Sequence, residues 1–189
     1  MAGNSISRSM HDAGLAAWFG GGLMGAVGLN GAAAAAKDPN ERLDLSSRGW
    51  GRWAPVNAAA IGAHLIGGLG LVQANKARVV SQPGARSNTA LKTVLTGAAL
   101  GLTAWSGYLG RKVAEGSARG EQGQGATEPG SSTSEEVAAA QRQLKLAQWG
   151  IPAVTGALVV LASVQGEQQR PEQLVRSHLS RVPGVSRLA

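Results

Sequence analysis

A chain of 189 residues with 18 Lys and Arg against 11 Asp and Glu, a formal charge of +7 and no cysteine is long enough for one domain. It excludes a disulfide framework, a thiol nucleophile and Cys-based zinc or iron–sulfur sites. The basic balance does not carry a nucleic-acid reading, because the cations are scattered through every polar segment with no dense stripe and no interleaved aromatics.

What organises the chain is where charge is missing. Residues 13–36, 53–75, 93–110 and 146–166 form four charge-free stretches of 24, 23, 18 and 21 residues. About 20 apolar residues in a helix, rising about 1.5 Å each, cross a hydrocarbon core about 30 Å thick. The third stretch reaches that length from Ala90, because Lys92 can extend its ammonium to the interface. The pattern predicts an all-α fold: a four-helix transmembrane bundle with spans at about 13–36, 53–75, 90–110 and 146–166.

The first span, GLAAWFGGGLMGAVGLNGAAAAA, carries seven glycines in 23 residues. In water each helical glycine costs about 1 kcal/mol relative to alanine. In lipid the helix is enforced by the need to pair every backbone group, and glycine instead lets helices approach closely. Small residues recur at Gly21, Gly25, Gly28 and Ala32, then at Ala59, Ala63 and Gly67 in the second span and at Gly97 and Gly101 in the third. These are the expected packing faces. Arg8, the apolar run and the AAAAA before Lys37 also have the outline of a cleavable export signal, but the run exceeds a usual signal core and Asp12 stands at its start. Asp12 reads as the N-cap of the first span.

Between spans one and two, residues 37–52 read as a short polar connection. Trp50, Trp53, Tyr108, Arg111, Lys112, Lys145 and Trp149 gather at one face as an aromatic and basic belt. The stretch at 116–134, rich in Gly, Ser, Gln and Glu, reads as a disordered loop. Thr133 and Glu136 have capping-box spacing for a helix that enters span four through a kink at Gly150 and Pro152. The tail, 171–189, places Leu174, Val175, Leu179 and Val182 opposite Arg170, Arg176 and Arg181. It is expected to form a short basic amphipathic helix on anionic lipid. With four spans, nine basic residues fall on each side of the membrane, so the positive-inside rule ties; the tail's suitability for an anionic leaflet places both termini in the cytoplasm.

Polar groups inside spans are the candidate site. His64 lies near mid-bilayer, and Asn30, Asn57, Thr103, Ser106 and Thr155 lie in the half nearer the tryptophan belt, where they could line a polar layer. Each can simply hydrogen-bond a neighbouring helix and fix register. The sharper reading makes His64 a haem ligand or a donor to a quinone headgroup. Bis-histidine haem needs a second intramembrane histidine, and His11 and His178 lie on the flanks. No Asp or Glu lies inside any span, which weakens a proton-coupled transporter, and no catalytic constellation or metal-ligand cluster is legible.

The segments SMHDAGLAAWFGG, LMGAVGLNGAA, GWGRWAPVNAAAIGAHLIGG and AAAQRQLKLAQWGIPAVTGALVV followed by GEQQR resemble a group of uncharacterised actinobacterial integral membrane proteins with four spans. The resemblance covers nearly Ser9 to Arg170 and implies a bacterial inner (plasma) membrane location, with no activity to carry over. The sequence thus points to a non-catalytic accessory subunit or scaffold that packs through Gly/Ala-rich helix faces. The alternative is a lipophilic-ligand (quinone or haem) or small-solute membrane protein built around His64. Expected partners are membrane lipids and a second copy or another membrane subunit, not nucleic acid.

Overall fold

The structure, a computed structural model, describes residues 2–168; the expected tail helix lies outside the described residues. Six α-helices follow in order: α1 (Ala2–Met24), α2 (Asn30–Ala34), α3 (Pro39–Ala74), α4 (Lys76–Ser81), α5 (Pro83–Ala118) and α6 (Glu135–Gln168). A π-helical turn, Gly25–Leu29, joins α1 to α2. Among the described residues no strand forms; Gly123 and Pro129 make an isolated bridge. The all-helical expectation is met.

Helices α3, α5 and α6 run 36, 36 and 34 residues, about 51–54 Å each at about 1.5 Å per residue. They outlast their apolar stretches. The segment at 37–52 is therefore mostly helix rather than a connection: Pro39 starts α3, Glu41 sits in its first turn, and only residues 35–38 link it to α2. By length and hydropathy two helices are able to cross a membrane, Glu41–Ala74 and Glu135–Val164. The first sequence stretch is divided by the π-helical turn, and the third is diluted by Gly, Thr, Ser, Trp and Tyr.

Helix α1 packs chiefly on α3, and α5 on α6, with α1 also touching α6. The α1–α3 contact is backbone against backbone. A Cβ on Gly14 would strike the Ala60 carbonyl and the His64 amide, and one on Gly67 would strike the Ser7 carbonyl and the His11 amide. Farther along, the Trp53 ring covers Gly21 and the Trp50 ring covers Gly25. Ala63, one residue before His64, is half-buried.

Three of the expected packing glycines are placed otherwise. Gly28 faces its own helix's Met24 side chain, while Gly97 and Gly101 look into open space. Spacing marks a small-residue face, but α5 turns a different face to its neighbours, with Ala99 buried beside Trp18 and Ile151. A second apolar cluster, Leu43, Leu109, Val113, Ala140 and Leu144, joins α3, α5 and α6 near the long loop.

That loop is folded, which corrects the expectation of disorder. Gln141, fully buried on α6, donates from Nε2 to the Gly125 and Ala126 carbonyls at 3.0 and 3.3 Å. Thr133 Oγ1 accepts from the Gly130 amide at 2.8 Å and donates to the Gln122 carbonyl. Gly120, with φ of 81°, makes the turn out of α5 that a side chain would disfavour. Backbone hydrogen bonding to a buried amide orders a segment with little apolar surface of its own. The cap of α6 also shifts by one residue: Ser134 Oγ accepts from the Val137 amide at 3.4 Å, and Glu136 pairs with Lys112 rather than closing a box with Thr133.

Glu121 holds this cap. Its carboxylate accepts from Ser134 Oγ at 2.6 Å and from the Ser134 amide at 3.0 Å, with Arg119 at 3.1 Å. The Ser134 hydroxyl above all, with Arg119 assisting, keeps the Glu121 carboxyl below the usual glutamate range. A depressed folded value stabilises the loop above the ordinary glutamate pKa and loses that stabilisation as pH falls through the folded value. The amide protection factors at residues 119–137, taken relative to the intrinsic exchange rate at each pH, should fall on acidification through this window, and Glu121→Gln should remove most of that fall. For the helix crossing, Gly67→Leu should lower stability by about 1–3 kcal/mol through overpacking, whereas Gly97→Leu should leave the thermal midpoint in detergent unchanged.

Candidate functional site

The polar side chains singled out in the sequence do not form one layer. Asn30 and His64 anchor two separate centres.

The first is built on Asn30, which the π-helical turn delivers to the bundle interior at the start of α2. Asn30 is 8% and Gln148 4% exposed. Asn30 Nδ2 donates to Gln148 Oε1 at 2.6 Å, and Trp50 Nε1 donates to Asn30 Oδ1 at 2.9 Å. One asparagine therefore links α2, α3 and α6. Two turns beyond Gln148, buried Thr155 donates to the Ile151 carbonyl at 2.7 Å. Neither Gln148 nor Trp50 was singled out as a partner from the sequence, although Gln148 is a polar residue inside a charge-free stretch.

The second centre is His64, 3% exposed on α3. Its Nδ1 lies 3.0 Å from the His11 carbonyl. A carbonyl only accepts, so Nδ1 carries the proton and Nε2 keeps its lone pair. The His11 ring lies against it, centroids 4.2 Å apart and tilted by 36°. His11 Nδ1 is 2.8 Å from Asp12 Oδ1, a carboxylate acceptor to which the Nδ1–H donates. Trp18 stands edge-on to His64 at 6.1 Å and donates from Nε1 to Thr103 Oγ1 at 3.2 Å. Thr103 in turn donates to the Ala99 carbonyl at 2.8 Å. Lys92 lies within electrostatic reach of His64 and Asp12, and Arg8 within reach of Lys92.

Asn57 and Ser106 join neither centre. Both are half-buried, and Asn57 Oδ1 is buried without a hydrogen-bond partner. His11, by contrast, is brought in from the flank by the Gly14 and Gly67 crossing. It stands 53 positions from His64 in the sequence, so no local spacing signals the pair.

Ring separation discriminates between ligation modes. With metal–nitrogen bonds of about 2 Å, two imidazoles on opposite faces of a haem hold their ring centres about 6 Å apart. At 4.2 Å the pair does not fit bis-histidine haem. Among the described residues no three His, Asp or Glu side chains are grouped to hold a metal.

Two clefts open toward the long loop. One, of about 380 Å³, is lined by Glu41, Asp44, Ser47, Ala114, Ser117 and Ala118; Asp44 is engaged by Arg48 at 2.9 Å. The other, of about 230 Å³, is lined in part by Trp105, Tyr108, Lys112 and Glu136. There Trp105 stacks on Tyr108 at 5.3 Å and Lys112 lies over the Tyr108 ring. The 2.9 Å hydrogen bond between Lys112 and Glu136 raises the lysine pKa and lowers that of the glutamate, but an exposed pair adds little stability. Neither cleft reaches His64 or Asn30.

Compared with protein-family models, with curated proteins and with solved structures, the chain matches none.

Replacing Asn30 by Leu leaves the Trp50 N–H and the Gln148 amide without partners. This should cost about 1–3 kcal/mol, read as a lower thermal midpoint in detergent. The Asn30→Leu/Gln148→Leu pair should be less destabilised than the sum of the single variants, because the two share one hydrogen bond.

Proposed function

We propose that the chain is a multi-pass protein of a bacterial inner membrane, with a non-catalytic accessory or scaffolding role. The observation that carries this reading is the outward display of large apolar side chains while several polar ones are buried. Asn30, Gln148, His64 and Thr155 are buried, while Ile66, Leu69 and Val94 are 61%, 72% and 68% exposed. Only 11% of the apolar window of α3 and 33% of that of α6 is buried. A core helix of a water-soluble protein of this apolarity is buried on most of its surface. In lipid the outward apolar side chains are solvated, and the inward polar groups find partners in one another.

The non-catalytic role is supported by how the polar groups are spent. Asn30, Gln148 and Trp50 satisfy each other, and Thr155 bonds its own helix. The outward Gly97 and Gly101 leave α5 a surface on which another helix can approach closely; a second copy or a further membrane subunit is the partner this reading calls for. All four apolar stretches serve as spans, both termini lie in the cytoplasm, and the folded loop at 119–134 lies on the opposite side.

The cysteine-free sequence makes the topology directly testable. In intact cells a membrane-impermeant maleimide should label Ser131→Cys and should label Ser5→Cys only after permeabilisation. The protein should sediment with alkali-washed membranes and need detergent for release. Release as a folded protein without detergent would contradict membrane residence, and native mass spectrometry yielding only a bare monomer would contradict the scaffolding role.

A further inference from the structure

The pairing of His11 with His64 leaves two nitrogen donors without an assigned task. Both Nδ1 atoms are committed to oxygen acceptors, one to the His11 carbonyl and one to the Asp12 carboxylate. On the neutral ring each Nε2 then presents its lone pair. An imidazole whose Nδ1–H is held by a carbonyl or carboxylate, with Nε2 free, is the arrangement found for metal-ligating histidines, where the outer acceptor fixes the tautomer and raises ligand basicity.

The separation of the rings agrees. Two imidazoles bound cis to one ion, at 90–109° and with bonds of about 2 Å, hold their centres about 4.5–5 Å apart. The observed 4.2 Å is close to that and far from the trans arrangement of haem. The elements that carry the two residues are held rigidly, since the backbones of α1 and α3 are in contact on both sides of the pair, at Gly14 and at Gly67. Access exists from the His11 side, where the His11 side chain is 14% and the Asp12 side chain 53% exposed.

We propose that His11 and His64 bind a borderline divalent transition-metal ion, of the Zn²⁺, Ni²⁺ or Cu²⁺ class, through their Nε2 atoms. This goes beyond the scaffolding role and does not rest on it. No third protein ligand is grouped with the pair among the described residues, so water completes the coordination and the ion exchanges readily. Imidazole donors select this class over Mg²⁺ and Ca²⁺, which require several oxygen ligands. Asp12 acts on the ion through His11. Lys92, the cation whose charge acts on His64, opposes a dication and holds the affinity to a modest level.

The test is titration of the untagged full-length protein in detergent with Cu²⁺, followed by electron paramagnetic resonance. The expected result is saturation at one equivalent per chain, with a spectrum showing two imidazole nitrogens. His11→Asn and His64→Asn should each lose that signal, Asp12→Asn should weaken binding by about tenfold, and His178→Asn should bind as the parent does. His11→Asn changes a partly exposed side chain, and unchanged helical circular dichroism establishes that it is folded. Failure of the parent to saturate at one equivalent, or binding by folded His11→Asn equal to that of the parent, would overturn the proposal.

Discussion

The close approach of α1 to α3 is the constraint on which the rest of the structure depends. Gly14 lies on the Ala60 carbonyl and the His64 amide, and Gly67 lies on the backbone of Ser7 and His11. A side chain at either position would push the helices apart. With them together, Trp53 and Trp50 lie over Gly21 and Gly25, and His11 comes against His64. The high glycine content that would weaken isolated helices in water is what allows these helices to share a surface.

Above that crossing the chain uses a helical irregularity to place its principal polar contact. The π-helical turn at Gly25–Leu29 changes the angular register of the chain just before Asn30, as an inserted residue in a helix must. Asn30 then meets both Gln148 and Trp50. Three helices are fixed by two hydrogen bonds in an interior where an unpaired amide is costly. The same interior is otherwise filled by Trp18, Leu158 and Ile151. Apolar side chains remain exposed on the outer faces of α3, α5 and α6, among them Ile66, Leu69, Val94 and Val160.

The sequence was most legible where physics is one-dimensional. Absence of charge marks the apolar stretches as helical, and polarity inside charge-free sequence marks Asn30 and His64. Helix ends are less legible: residues 135–145 are strong helix formers that extend α6, whereas residues 39–52, with two glycines and two serines, continue α3 because tertiary packing, with Leu43 against Leu109 and Val113, overrides propensity. The loop at 119–134 was read as disordered because it lacks apolar residues; its order comes from Gln141, whose role depends on a fold that brings its amide under the Gly125 and Ala126 carbonyls. Glycine spacing identified small faces without telling which would be covered, so Gly97 and Gly101 were expected inside and Gly14 was overlooked. The His11 partnership was hidden by sequence distance alone.

The crossing itself offers the most direct measurement. Ser7 Cβ lies 3.0 Å from the place a Cβ on Gly70 would occupy, near the roughly 3.5–4.5 Å that a disulfide spans. In washed membranes the Ser7→Cys/Gly70→Cys variant of this cysteine-free chain should form an intramolecular disulfide under mild oxidation, seen as a reductant-sensitive mobility shift. The Ser7→Cys/Gly97→Cys variant should not. Persistently free thiols in the first pair would contradict the crossing, and with it the placement of His11 beside His64.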